Sequence, residues 1–463
     1  MERTSRTAAN AATRPDGVVQ AESLFSAARP RSPEAHLVER DDGAQLFLTN
    51  GSRLFDIDGQ AARAFRDALA APGESELRSL LARHGLDGPR AIESEPPTRF
   101  AVRALSLAIA QKCNLGCTYC YAQGGEFGGT AKSMDERTAI GAVDLLLEET
   151  QPGERANLAF LGGEPLVARE VLRKTTAYAA KRAAERDVRL TFSITTNGTL
   201  LRPDDADFFE SFGFAVTLSL DGVGAVHDRL RPFKTGSASY ERILSRARPL
   251  LDAQRRMQVS ARVTVTPQNL DLRDTLDTFV GLGFHSVGFS PMLSAPSTKQ
   301  EMTHDSLGRM LEQMVSCADA FEAHARAGRR YPFANLLNAL REIHKGTHRP
   351  YPCGAGAGYL GVSADGELAA CHRFVGDEAG AMGDLVDGVD RARQAEWLAA
   401  RHVDRQEPCN RCWARYLCGG GCHHETLSRG RPACDFIRGW LHHCIGVYGR
   451  LSNADVEMFG QAA

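Results

Sequence analysis

Six apolar runs, each followed at once by cysteines, glycines or small polar residues and then by an amphipathic stretch, constrain this chain more than any other feature. They are Leu105 to Ala110, Asn157 to Leu161, Leu190 to Thr195, Ala215 to Leu220, Ser260 to Val265 and Ser286 to Phe289. Helical patterns such as Met134 to Glu149, Ala168 to Glu185 and Tyr240 to Ala253 lie between them, the alternation expected of parallel βα units. Six units do not close an eight-fold barrel, but an open (β/α)6 partial barrel still carries its reactive groups on the loops after the strands. Cys113 to Cys120 follows the first strand, Gly162-Gly163-Glu164-Pro165 the second, Thr196-Asn197-Gly198 the third and Asp221-Gly222 the fourth, with Arg262, Thr264 and Thr266 in or beside the fifth. The unusual residues converge on one rim.

Cys113, Cys117 and Cys120 are spaced C-x3-C-x2-C. Three thiolates so placed hold three corners of a four-iron cubane and leave the fourth iron free to chelate a substrate such as S-adenosylmethionine. A zinc knuckle is the competing expectation, yet zinc sites favour paired C-x2-C units. Of the twelve cysteines, eight fall after position 350, and clustered thiols in a chain of 463 residues read as metal ligands in a cytoplasmic protein rather than as disulfides. The balance of 55 basic and 57 acidic residues, net charge -2, argues against nucleic-acid or membrane-surface binding. No segment approaches membrane-spanning length.

The triplet, an aromatic just before its third Cys and the feeding run Leu105 to Ala110 resemble the radical SAM superfamily. That resemblance implies S-adenosylmethionine bound at a [4Fe-4S] cluster, with the main chain of Gly162, Gly163 and Glu164 meeting the amino group of the cofactor. Ser193, Thr196, Asn197 and Ser219 are then expected to hydrogen-bond the ribose or carboxylate, and Arg262 to neutralise that carboxylate. Asp221 is a candidate base for a substrate proton, or else a turn residue before Gly222. His227-Asp228-Arg229-Leu230-Arg231-Pro232 resembles the HDxxRP stretch of peptide maturases and is expected to shape the substrate side or to form a solvated charged loop.

Cys353-x12-Gly366-x4-Cys371, then Cys409-x2-Cys412-x5-Cys418-x3-Cys422 and a later Cys, resembles the SPASM domain, which implies two auxiliary [4Fe-4S] clusters and three in all. The resemblance assigns Cys353, Cys371 and Cys422 to one, and Cys409, Cys412, Cys418 and a late Cys to the other. Cys434 is favoured for the late ligand, with Cys444 as the alternative. The first auxiliary set then has three obvious ligands; Cys317, on a helical stripe with Met310, Met314 and Phe321, reads as a buried thiol.

The flanks Tyr351 to Gly356, Cys371 to Gly376, Cys412 to Cys418 and Cys422 to Trp440 are similar to thioether-forming peptide maturases, most of all to those serving quinohemoprotein amine dehydrogenases. This implies Cys-to-Asp or Cys-to-Glu crosslinks in a peptide or small dehydrogenase subunit carrying a leader, with a reducing electron donor. Formylglycine formation in a sulfatase, carbon-carbon crosslinking and, outside enzymes, an Fe-S electron carrier are the alternatives. Sulfatase maturases usually carry Asp directly after the second SPASM Cys, and this chain has His372 there.

Met1 to Pro30 reads as a disordered leader, and residues 31–95 as a small unit of three strands (Leu37 to Glu39, Gln45 to Thr49, Ser52 to Ile57) and two helices (Gln60 to Ala70, Glu74 to Arg83). It resembles the PqqD-like peptide-recognition domain. Ile92 to Thr98 reads as a linker, residues 100–300 as the partial barrel, 301–350 as a helical bridge and 351–463 as the SPASM domain.

Overall fold

The computed structural model describes residues 20–41, 43–89, 95–454 and 456. A short helix α1 (Ala21–Ala27) precedes an antiparallel sheet of β1 (Ala35–Glu39), β2 (Gly43–Leu48) and β3 (Arg53–Asp58), in that order, followed by α2 (Gly59–Ala70) and α3 (Ser75–Arg83). The expectation of disorder up to residue 30 is corrected over the helix: Leu24 and Phe25 are buried against Gly439, and Phe25 also against Gly308. Residues 92–94 of the expected linker lie outside the described residues.

The six expected parallel strands are present as β4 (Ala104–Gln111), β5 (Arg155–Gly162), β6 (Arg189–Thr196), β7 (Ala215–Ser219), β8 (Gln258–Val265) and β9 (Ser286–Pro291), each hydrogen-bonded to the next in chain order. The longer helices between them are α4 (Glu136–Glu148), α5 (Arg169–Glu185), α6 (Pro203–Phe212), α7 (Tyr240–Ala253) and α8 (Leu272–Gly281). Alternation along the strands shows which face each residue takes. Phe192 and Ile194 in β6, Val216 and Leu218 in β7, and Val259, Ala261 and Val263 in β8 are buried. Phe192 meets Phe212 of α6, so this is the face the helices cover. Ser193, Ser219 and Arg262 take the opposite, open face.

Beyond β9 run α9 (His304–Arg326) and α10 (Ala334–His344). A seventh parallel strand, β10 (Tyr359–Val362), then pairs with β4 on the edge opposite β9 and continues antiparallel into β11 (Glu367–Ala369), β12 (Ala381–Asp384) and β13 (Gly388–Val389). The cysteine-rich region is therefore an extension of the barrel sheet. A final helix, α11 (Cys434–Ser452), packs on α1, α9 and α10. No helix among the described residues is long and apolar enough to cross a membrane.

Candidate radical and auxiliary cluster sites

The loop after β4 carries the first cysteines and is packed on the loop after β5 by glycines that tolerate no side chain. Gly163 N donates to Ala110 O at 2.8 Å and Glu164 N to Lys112 O at 3.0 Å. A Cβ on Gly163 would stand 2.4 Å from Lys112 O and 2.9 Å from Gly125 Cα, while one on Gly125 would stand 2.9 Å from Cys113 Cβ. The glycines let two loops approach each other, and so fix where Cys113 sits.

The Glu164 side chain turns into the protein, leaving only its main chain for the expected cofactor contact. Its carboxylate is fully buried and accepts from Thr196 Oγ1 at 2.7 Å, Asn197 N at 2.7 Å and Leu166 N at 3.0 Å. Burial raises its pKa, and these hydrogen bonds oppose that shift. Thr196 and Asn197, expected to address the cofactor, are engaged with protein partners in this structure. Thr196 holds Glu164, while Asn197 Nδ2 donates to Asn114 Oδ1 at 3.0 Å and lies 3.6 Å from Cys113 Sγ. These residues tie the loops after β4, β5 and β6 together.

On the open face, Ser193 Oγ donates to Asn157 Oδ1 at 3.3 Å, and Ser219 is level with Arg262 across the β7–β8 pair. The Arg262 guanidinium is in no hydrogen bond or ion pair with the described residues; burial within the protein lowers its pKa, partly offset by Glu425. It is an uncommitted cation facing the space above the sheet.

Asp221 is corrected from base to buried anchor. It is 0% exposed, accepts from Tyr119 Oη and, at 2.8 Å, from Thr264 N, and pairs with Arg231 at 3.6 Å, so no substrate proton reaches it. The HDxxRP stretch is not a solvated loop: its first residues close the short helix Ala225–Leu230, with Arg229 exposed and His227 and Arg231 buried. His227 is 0% exposed, its Nδ1 accepts from Asp221 N at 3.1 Å, and Asp228 Oδ1 accepts from Ser239 N and Tyr240 N at 2.8 and 2.9 Å, capping α7.

The thiols sort into three sets by mutual influence. Ionised Cys120 and Cys113 both oppose ionisation of Cys117, whose pKa burial pushes up to about 12. Cys353 and Cys422 act likewise on Cys371, pushed up to about 12. Cys409, Cys412 and Cys434 act on Cys418, pushed up to about 11. Burial is the first cause in each case. Such thiols ionise only when a metal stabilises the thiolate.

Cys434, at the start of α11, thus joins the third set. Cys444 does not: it lies on the core face of α11 at 0% exposure, and burial alone raises its pKa. Cys317 is equally buried and feels Arg273, Asp277 and Asp319 but no other thiol. A cavity of about 200 Å³ opens among Cys409, Cys412, Cys418, Cys422 and Cys434.

The donor set fits iron-sulfur clusters. Among the described residues no three Cys, His, Asp or Glu side chains gather as a chelate for a single ion, and in a cubane each iron takes one thiolate, so the ligands stand apart. Arg231, Arg373 and Arg438 each have a buried Nε with no partner. Their charges act on Cys117, on Cys422 and on Cys412 with Cys434, respectively. These are donors placed for anionic sulfur.

Residues that the sequence patterns do not reveal join the first two sets. Tyr121, next to Cys120, is capped by the Arg373 guanidinium at 5.2 Å, and Arg373 NH1 donates to Glu425 Oε1 at 2.8 Å and lies 3.8 Å from Cys422 Sγ. His372 Nδ1 is 2.8 Å from Tyr359 Oη, itself 2.7 Å from Ser106 Oγ on β4. The aromatic beside the third cysteine was the available signal.

The chain has the radical SAM α/β fold, with a cysteine-rich extension consistent with the SPASM type. Residues 107–288 match the Radical SAM superfamily model. The chain is 27% identical over 356 residues to the serine-type anaerobic sulfatase-maturating enzyme of Klebsiella aerogenes, covering 74% of this chain and 84% of that one. Its fold is similar to that of anSMEcpe with bound AdoMet and Cp18Cys peptide (TM-score 0.61, 20% identity, 76% of this chain and 98% of that chain). It is also similar to Streptococcus suis SuiB bound to precursor peptide SuiA (TM-score 0.52, 14% identity, 87% and 97%).

Proposed function

We propose that this chain is a peptide maturase that joins a Cys sulfur to a side-chain carbon of Asp or Glu within a peptide or small dehydrogenase subunit, as maturases of quinohemoprotein amine dehydrogenases do. The observation that carries the reading is the inequality of the two auxiliary sets. Cys409, Cys412, Cys418 and Cys434 number four, enough to ligate every iron of a cubane. Cys353, Cys371 and Cys422 number three, leaving a coordination place for a substrate thiolate.

Cys113, Cys117 and Cys120 would hold the cluster that binds S-adenosylmethionine, for three clusters in all. Arg262 would meet the carboxylate of the cofactor. When bound, S-adenosylmethionine and the clusters supply a hydrogen-abstracting 5′-deoxyadenosyl radical and an acceptor for the one electron released as the C–S bond forms. The chain's own part is placement. Arg373 and Tyr121 hold the three-thiol set beside the first triplet, and Tyr359 fixes the His372 ring between them. The β1–β3 sheet and its helices would take the leader, and a cytoplasmic reductant would supply electrons.

Reduced, anaerobic protein incubated with S-adenosylmethionine and a peptide holding Cys and Asp or Glu should yield a product that keeps its sulfur but no longer reacts with alkylating agents. A peptide with that Cys changed to Ser should still permit 5′-deoxyadenosine formation without a crosslink. Cys317→Ala should leave crosslinking intact; loss of an auxiliary cluster in that variant would make Cys317 the fourth ligand and end the open-site reading. Formylglycine formation is the second reading, favoured by the sulfatase-maturating relatives. A Cys peptide that loses its sulfur would establish it instead.

A further inference from the structure

Residues 230–234, which begin at the end of the helix Ala225–Leu230, run antiparallel to the cysteine loop. Gly116 N donates to Pro232 O at 2.8 Å, Thr118 N to Leu230 O at 3.1 Å and Lys234 N to Asn114 O at 3.2 Å, and Leu115 bridges Phe233. That register sets Cys117 directly opposite Arg231. The arginine is 9% exposed, donates through NH1 to Tyr119 Oη at 2.6 Å and pairs with fully buried Asp221 at 3.6 Å. Its Nε–H is buried without a partner among the described residues, a donor that an acceptor on the facing loop would satisfy.

We propose that Arg231 tunes the radical-generating cluster: its Nε–H is directed at the Cys117 sulfur, and its charge, moderated by Asp221, sets the reduction potential of the cluster that Cys117 ligates. The proposal rests on reading Cys113, Cys117 and Cys120 as that cluster's ligands. A hydrogen bond to a cluster sulfur and a nearby positive charge both favour the reduced, more negative cluster and raise its potential. Asp221, paired with the guanidinium, opposes this. Arg373 and Arg438, each with the same unpartnered Nε beside another thiol set, repeat the device. Arg231 is thus a positioning residue acting through sulfur, with no contact to substrate required.

The test is a redox titration of the full chain with all its clusters, read on the EPR signal that changes when S-adenosylmethionine is added. Removing Arg231 alone would strand Asp221 as a buried unpaired charge, so the variant to use is Arg231→Met with Asp221→Asn. It should keep its iron and titrate at a more negative potential than the wild type, because it loses the donor set opposite Cys117. Asp221→Asn alone should shift the potential the other way. Arg231→Lys, which keeps the charge without an Nε–H, should fall between the wild type and the double variant. Fully loaded double and Asp221→Asn variants that both titrate with the wild type overturn the proposal. Should the double variant lose iron, an unshifted, fully loaded Arg231→Lys overturns it. A Cys113, Cys117, Cys120→Ala triple variant that retains the responsive signal overturns the site reading beneath it.

Discussion

Glu164 shows how a residue expected to touch a ligand can serve by holding others in place. Its two oxygens accept three hydrogen bonds, one from its own loop and two from the end of β6, while fully buried. Glu164→Gln replaces one acceptor with an amide donor. If the amide nitrogen takes the Oε2 position, it meets Asn197 N–H; if it takes the other, it meets Leu166 N–H. Either arrangement leaves a buried donor unsatisfied, at a cost of about 1–3 kcal/mol. Urea unfolding of the metal-free chain should show that loss, and a Gln variant as stable as the wild type would remove the carboxylate from its anchoring role. Asp221 belongs with it, since Thr264 N, Tyr119 and Arg231 surround it on the other side of the same rim.

At the scale of elements, the loops after β4 and β5 form one interlocked unit. Gly163→Ala would drive a methyl into Lys112 O and Gly125 Cα, both backbone and unable to rotate away. The first cysteine loop should then be displaced while the auxiliary sets, built on β10 and the segments beyond it, stay intact. On the proposed three-cluster reading, iron should fall from about twelve to about eight per chain, a drop equal to the content of one cubane. An unchanged iron content would show that the loops accommodate the methyl. The strands and their loops were legible because a buried parallel strand leaves an apolar run and its functional loop follows at once. The strand β10 was not. Tyr359-Leu360-Gly361-Val362 is four residues among glycines, too short to leave a period, and only its pairing with β4 reveals it. The clasp of residues 230–234 on residues 114–118 was equally hidden, because neither partner is a strand by pattern and the pairing is long-range. Spacing alone also left Cys434 and Cys444 open, since it does not say which thiol of a helix faces a cavity and which faces the core.

Across the whole molecule, neutral histidines occupy the joints. His36 of β1 stacks on Trp413 at 3.8 Å and lies 2.8 Å from His442 Nδ1 of α11, joining the N-terminal sheet to the final helix. Trp413 directly follows Cys412, its indole N–H donates to Ala28 O at 2.9 Å, and its carbonyl accepts from Thr49 Oγ1 at 3.1 Å. The N-terminal unit is therefore fastened to the third thiol set. Burial pushes His442 down to about 4, and His227, His423 and His443 down to about 3; His36 is lowered as well. A histidine whose folded pKa is depressed stabilises the fold fully above its unfolded value, near 6.5, and that contribution is lost as pH falls toward the folded value. Each unit of depression corresponds to about 1.4 kcal/mol, so a few such groups consume a typical stability of about 5–15 kcal/mol. Buried Glu164 and Asp221, whose pKa values are raised, act in the opposite sense, because protonation in acid relieves them. The metal-free chain should accordingly lose tryptophan-reported structure between pH 6.5 and about 4, and His36→Phe, which keeps the stacking on Trp413 and removes one titrating group, should move the midpoint to lower pH. Fluorescence that stays flat down to pH 4, or a midpoint indifferent to His36→Phe, would show that the histidine joints do not set the acid limit.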